Sequence, residues 1–164
     1  MSEDRPEWNR IEDAAILRNI LDHLPTSIFA KDESLRFIYS NEAHCRIIGQ
    51  DEAALLGKSD ADFYPPEEAR DFLARDRAVI DDGETIEAEE TATGSSGVSL
   101  PVLTRKTRLV TADGKRYLIG TNVDQRINNS VYQLSGIPDD KFSSHDDLYF
   151  SIFIINMATV SMGY

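Results

Sequence analysis

Hydrophobic residues in this chain keep a helical period near one end, a strand period in two separated blocks, and short helical patterns between those blocks. Ile11, Ala14, Leu17, Leu21 and Leu24 recur at spacings of three and four and form one apolar stripe, widened by Ile16 and Ile20. This predicts a helix over about residues 5–24, with Asp4 as N-cap, Glu7 in the capping-box place and Pro6 in the first turn. Pro25 ends it. The stripe can pack on its own domain or against a second chain.

After Thr26 the period becomes that of strands. Residues 27–30 and 36–40 read as two strands around the polar turn Lys31-Asp32-Glu33-Ser34. Asn41 caps a helix over residues 42–48 that Gly49 closes, and Asp51 caps a short turn of helix stopped by Gly57. Pro65-Pro66 opens a longer helix over residues 67–80, whose apolar positions are Ala69, Phe72, Leu73, Ala78, Val79 and Ile80. Three strands follow, at residues 85–91, 100–110 and 116–123, the last two hairpinned about Ala112-Asp113-Gly114. The order is helix, two strands, short helices, one longer helix, three strands.

The 164 residues allow one domain of ordinary size with extensions, and 41% hydrophobic content is enough for a core. A net charge of −12 disfavours nucleic acid and anionic membrane as partners. Cys45 is the only cysteine, so an intrachain disulfide and a multi-cysteine metal site are both ruled out. The polar first ten residues do not read as a signal peptide, so a cytoplasmic location is expected.

The element order resembles the PAS fold, and local sequence agrees. Tyr39-Ser40-Asn41-Glu42-Ala43 looks like the strand-to-helix junction of that family. Ile48-Gly49 and Leu55-Leu56-Gly57-Lys58-Ser59 look like its paired glycine signals. Asp60-Ala61-Asp62-Phe63-Tyr64-Pro65 and Arg75-Asp76-Arg77-Ala78-Val79 resemble a bacterial subgroup; Lys106 and Gly120-Thr121-Asn122-Val123-Asp124 fit the final strands. The resemblance spans roughly residues 17–126. It implies an α+β fold, a five-stranded antiparallel sheet with short helices on one face and an N-terminal flanking helix. It further implies a sensory, non-enzymatic module whose pocket takes a small molecule and whose flanking helices relay the response, as a homodimer, to an effector or partner such as a kinase or cyclase. The pocket candidates it implies are Phe37, Tyr39, Cys45, Ile48, Phe63 and Phe72, which would otherwise simply fill the core. The expected organisation is a flanking helix at 1–24, the PAS domain at 25–126 and an extension at 127–164.

Specific chemistries find little support. A flavin-bonding thiol of the light-sensing type would stand where Asp60 is, and Cys45 lies in an earlier helix. The long helix lacks a histidine for haem, so no cofactor is assigned. His23, His44 and His145 are too scattered for a metal site. Gly57-Lys58-Ser59 lacks the upstream glycine of a phosphate loop, and Asp60/Asp62 lack the glycine of a calcium loop. No catalytic residue is assigned. Cys45 is expected to be a small buried hydrophobe, His44 a surface or boundary residue and Asp60 a helix cap. The run Glu87, Glu89, Glu90 is read as a solvated strand face. Alternation sets Val102, Thr104, Lys106 and Arg108 against the more apolar Leu103, Arg105, Thr107 and Leu109, so Lys106 is expected to point outward.

Three readings remain open. The first is the ligand sensor. A protein–protein interaction domain with a filled core is the second. A small isomerase-like enzyme is the third, which requires a buried acid of raised pKa beside a Tyr or His. Residues 148–164 carry no charge and are short for a membrane span, so they are expected to pack on the domain, to form a contact surface, or to begin something longer.

Overall fold

The computed structural model describes residues 14–126. Residues 1–13 and 127–164 lie outside the described set, and with them the start of the N-terminal helix and the apolar tail. The chain divides into two units, Met1–Val123 and Asp124–Tyr164, and the sheet with its helices belongs to the first, save for the last residue of the final strand.

Helix α1 (Ala14–Asp22) leads into strands β1 (Ser27–Lys31) and β2 (Phe37–Ser40). Helices α2 (Glu42–Ile48) and α3 (Glu52–Leu55), a 3₁₀ turn (Asp60–Asp62) and helix α4 (Pro66–Arg77) come next. Strands β3 (Ile86–Thr93), β4 (Ser99–Val110) and β5 (Arg116–Asp124) complete one five-stranded sheet in the order β2-β1-β5-β4-β3. β1 runs antiparallel to both β2 and β5, and β3 antiparallel to β4. Placing β1 beside β5 brings the start and end of the fold together at the centre of the sheet.

Local sequence explains the ends of these elements. Asn41 and Asp51 accept hydrogen bonds from the backbone N–H of His44 and Ala54 at the starts of α2 and α3. Helix α4 stops short of the expected residue 80: it widens into a π turn (Ala78–Asp82) that ends at Gly83, and the Arg108 and Arg116 guanidiniums donate to the Ile80 carbonyl. The Asp113-Gly114 turn closes as expected, Gly114 N–H donating to the Thr111 carbonyl with a left-handed φ of 83°.

The core lies between the sheet's inner face and helices α2–α4. It contains Phe29, Phe37, Ile48, Leu55, Phe72, Val79, Ile80, Val102 and Leu118. Gly120 is required there, because a Cβ on it would stand 2.1 Å from the Phe29 ring across the β1–β5 pair. Helix α1 buries no residue; Ile16, Leu17 and Ile20 are each nearly half exposed.

The inner face of β4 is the reverse of the sequence expectation. Val102, Thr104 and Lys106 are buried, while Arg105 and Thr107 are exposed and Leu109 half exposed. Counting apolar residues per face failed because the buried polar groups are paired by partners from other elements. Lys31 is likewise no turn residue: it ends β1, 1% exposed, on the same face as Phe29.

Candidate functional site: a buried ladder of charges

Each charged side chain at the site is placed by an ordinary structural periodicity. On β1 the alternation that turns Ser27 and Phe29 inward also turns Lys31 inward. On α4, Asp76 follows Phe72 by four residues and precedes Val79 and Ile80, so it shares their buried face. Lys106 shares a face of β4 with Val102 and Thr104, and Glu90 shares a face of β3 with Ala88 and Ala92. Asp60 stands at the start of the 3₁₀ turn. Ser59 precedes that turn as its cap, the Asp62 carboxylate accepting from the Ser59 N–H and hydroxyl, so Asp60 is not the expected cap.

These residues form a continuous series of opposite charges. Asp60 pairs with Lys31; Lys31 Nζ lies 2.7 Å from Asp76 Oδ2; Asp76 Oδ1 lies 2.9 Å from Lys106 Nζ. Lys106 Nζ is 3.2 Å from Glu90, which also pairs with Arg75 at 2.9 Å. Glu90 therefore leaves the solvated face expected for it, whereas Glu87 and Glu89 keep to it. Both lysine ammoniums also face aromatic rings: Lys31 lies 4.7 Å from the Phe37 centroid and Lys106 5.2 Å from that of Phe72.

Burial raises the Asp76 carboxyl pKa, but Lys31 and Lys106 pull it further the other way, leaving it below the ordinary aspartate value. For Asp60 the balance reverses: burial outweighs the pull of Lys31, and its pKa is raised. Burial lowers the Lys31 pKa, yet Asp60 and Asp76 together hold it above the usual lysine value.

His44 is buried at 2% exposure instead of lying at the surface. It shares the inner face of α2 with Ile48 one turn on, stacks on Phe29 at 4.6 Å and shares a 3.0 Å hydrogen bond with the Ser40 hydroxyl. Burial, aided by Lys31, depresses its pKa to about 3, so the ring is neutral.

Lys31, Asp60, Glu90 and Lys106 border a cavity of about 20 Å³, room for roughly one water molecule. Of the sequence candidates, Phe37 and Phe72 line it, together with Lys31, His44, Asp60, Tyr64, Lys106 and Asn122. Ile48 is fully buried in the core and Phe63 packs half-buried against it, but neither lines the cavity. Tyr39 turns toward α1, its hydroxyl donating to Asp22 at 2.8 Å. Cys45 is half-buried, not fully so, and borders a separate open cleft of about 710 Å³ with Asp22, Glu42, Asp51 and Glu52. Burial and the carboxylates of Glu52, Asp51 and Asp22 raise its pKa, which keeps the thiol protonated and a poor nucleophile. Sequence reading missed Lys31, Asp60, Asp76, Glu90 and His44. The available signal was a charged or polar residue in register with an apolar stripe, clearest at Asp76.

Asn41 joins this interior to the flanking helix. Its side-chain oxygen accepts from the N–H groups of Ile28 and His44, and its amide donates to the Leu21 and Thr26 carbonyls. One fully buried side chain thus ties together α1, β1 and α2.

A five-stranded antiparallel sheet of this order with helices over one face is the architecture of the PAS fold. The family model described as PAS fold matches residues 21–126, and the chain belongs to that family. It is 32% identical over 106 residues to the uncharacterized protein y4lL of Sinorhizobium fredii, spanning 65% of this chain and 13% of that protein. It is 27% identical over 147 residues to a diguanylate cyclase of Vibrio cholerae, spanning 79% of this chain and 44% of the cyclase. The chain therefore covers less than half the length of either relative. Among solved structures, the PAS domain of an HTR-like protein from Haloarcula marismortui superposes with a TM-score of 0.55 at 21% identity, covering 67% of this chain and 89% of that one. PAS domains are sensory signal-transduction modules. No helix among the described residues is long and apolar enough to cross a membrane.

Proposed function

We propose that this domain senses a small molecule in the interior bordered by the charge ladder and relays its occupancy through α1, as a homodimer, to an effector such as a cyclase or kinase on the same or a partner chain. The observation that carries this reading is the ladder itself. Burying five charged side chains, four of them lining a cavity, is a poor way to stabilise a core, since well-packed apolar residues serve as well or better. Polar groups held at that cost suit recognition. Asn41, bonded to the carbonyl of Leu21 and to the N–H of His44, supplies a route from the cavity wall to α1. The exposed apolar residues Ile16, Leu17 and Ile20 support a dimer contact on that helix.

Native mass spectrometry of the freshly purified 164-residue chain tests this directly. A dimer carrying extra mass that is lost on denaturation supports the proposal. A bare species overturns the ligand, and a monomer overturns the dimer.

The filled-core interaction domain draws support from the cavity's size, about 20 Å³. The isomerase reading has its raised acid, Asp60, in a cavity wall shared with Tyr64 and His44. That acid is already engaged by Lys31, which takes up the carboxylate a general base would use, so catalysis is the weaker reading.

A further inference from the structure

If the interior is the sensing site, a reading on which this inference rests, its charge balance restricts what it can accept. From Asp60 through Lys31, Asp76, Lys106 and Glu90 to Arg75 the signs alternate, three negative and three positive. Arg75 ends the series with its side chain 36% exposed, and the other five are buried or nearly so. The set is neutral. A carboxylate or an ammonium brought among these groups adds a charge with no counter-charge left to meet it, in surroundings that penalise an unpaired ion heavily.

Hydrogen bonding is a different matter, because the wall offers both kinds of partner side by side. Each ammonium has three N–H donors, and each carboxylate has about four acceptor positions. Among the described residues, Asp60 has a single direct ion partner, Lys31. With one ion partner, it keeps acceptor positions open to a donated hydrogen bond. Around these groups stand the rings of Phe29, Phe37, Phe72 and Tyr64, surfaces suited to a flat apolar body.

We propose that the interior site selects a small uncharged planar molecule bearing a hydrogen-bond donor beside an acceptor, an amide or lactam edge, and rejects its carboxylate and amine counterparts. The donor meets Asp60, and the acceptor meets the ammonium of Lys31 or Lys106. Since the cavity holds about one water, entry requires a lining ring, Phe37 or Phe72, to turn aside.

The test is calorimetric titration of the full chain with three probes of one shape: benzamide, benzoate and benzylamine. The expected result for the wild type is benzamide binding at least about tenfold tighter than either ion. Asp60→Asn leaves the ladder with one excess positive charge, and benzoate then overtakes benzamide. Lys106→Met leaves one excess negative charge and moves the preference to benzylamine, so either variant tests the idea if the other fails to fold. Equal or better binding of an ion by the wild type overturns the proposal, as does an unchanged order in a folded variant. If no probe binds while native mass spectrometry shows an occupied interior, the ligand class is wrong and the sensing site stands. If no probe binds and the chain is bare, both fall.

Discussion

Asp76 and Lys31, forty-five residues apart in sequence, meet at 2.7 Å with side chains 0% and 1% exposed. Asp76 also faces Lys106, so one carboxylate bridges two buried ammoniums. Asp60 serves only the outer end of the same ladder.

This asymmetry separates two isosteric substitutions. Asp76→Asn leaves Lys31 and Lys106 each with one counter-charge gone, and is expected to cost about 3–5 kcal/mol. Asp60→Asn removes a carboxylate whose charged form burial already disfavours, and is expected to cost about 1 kcal/mol or less. Urea unfolding of both variants at pH 7 measures the difference; equal losses would contradict the ladder geometry.

His44 sets an acid dependence. Its folded pKa of about 3 lies below the ordinary histidine value of 6.5, so the unfolded chain takes up a proton that the folded chain refuses. Stability then falls as pH drops below 6.5, at up to about 1.4 kcal/mol per pH unit from this one group. Asp60 works in the opposite sense, since its raised pKa favours the folded state as pH falls. Comparing the pH profiles of wild type and His44→Gln isolates the histidine: the slope between about pH 6 and 4 is expected to diminish in the variant. At the alkaline end, the Lys31 contribution is complete below its unfolded value of 10.5 and is lost as pH climbs through the higher folded value.

Asn41→Ala removes four hydrogen bonds of a buried side chain at once. A loss of about 3 kcal/mol is expected, from the helix cap and the stranded backbone groups together. Tyr39→Phe removes only the 2.8 Å bond to Asp22 and is expected to cost about 1 kcal/mol. Amide hydrogen exchange reads where each loss falls. Both variants are expected to speed exchange in α1, and only Asn41→Ala in α2 and β1.

Gly120→Ala pushes a methyl into the Phe29 ring. Overpacking of this kind costs about 1–3 kcal/mol, and the displaced ring must leave its stack on His44. Adding Phe29→Leu is expected to restore part of the loss, seen as a favourable coupling in a double-mutant cycle. Additive losses would mean that the two residues do not press on one another.

The elements themselves were legible in sequence because their causes are local. Asn41, Asp51 and Gly49 mark helix ends through side chains or backbone freedom acting within one turn, and the Asp113-Gly114 hairpin needs only two residues. The end of α4 was misjudged by a few residues because the Arg108 and Arg116 guanidiniums, from distant strands, stabilise a π turn there.

The site was legible only in part. Phe37 and Phe72, which the family resemblance implies, line the cavity, whereas Tyr39, implied in the same way, reaches toward α1. Nothing local distinguishes an inward Lys106 from a solvated one, since both alternate identically along β4. By itself, the sequence determined which segments are helices and strands, because periodicity, caps and turns act over a few residues. Tertiary structure alone decided which charges are buried. A lysine enters the interior only when a carboxylate comes to meet it, and for Lys31 that carboxylate is brought from forty-five residues away by the packing of α4 over the sheet.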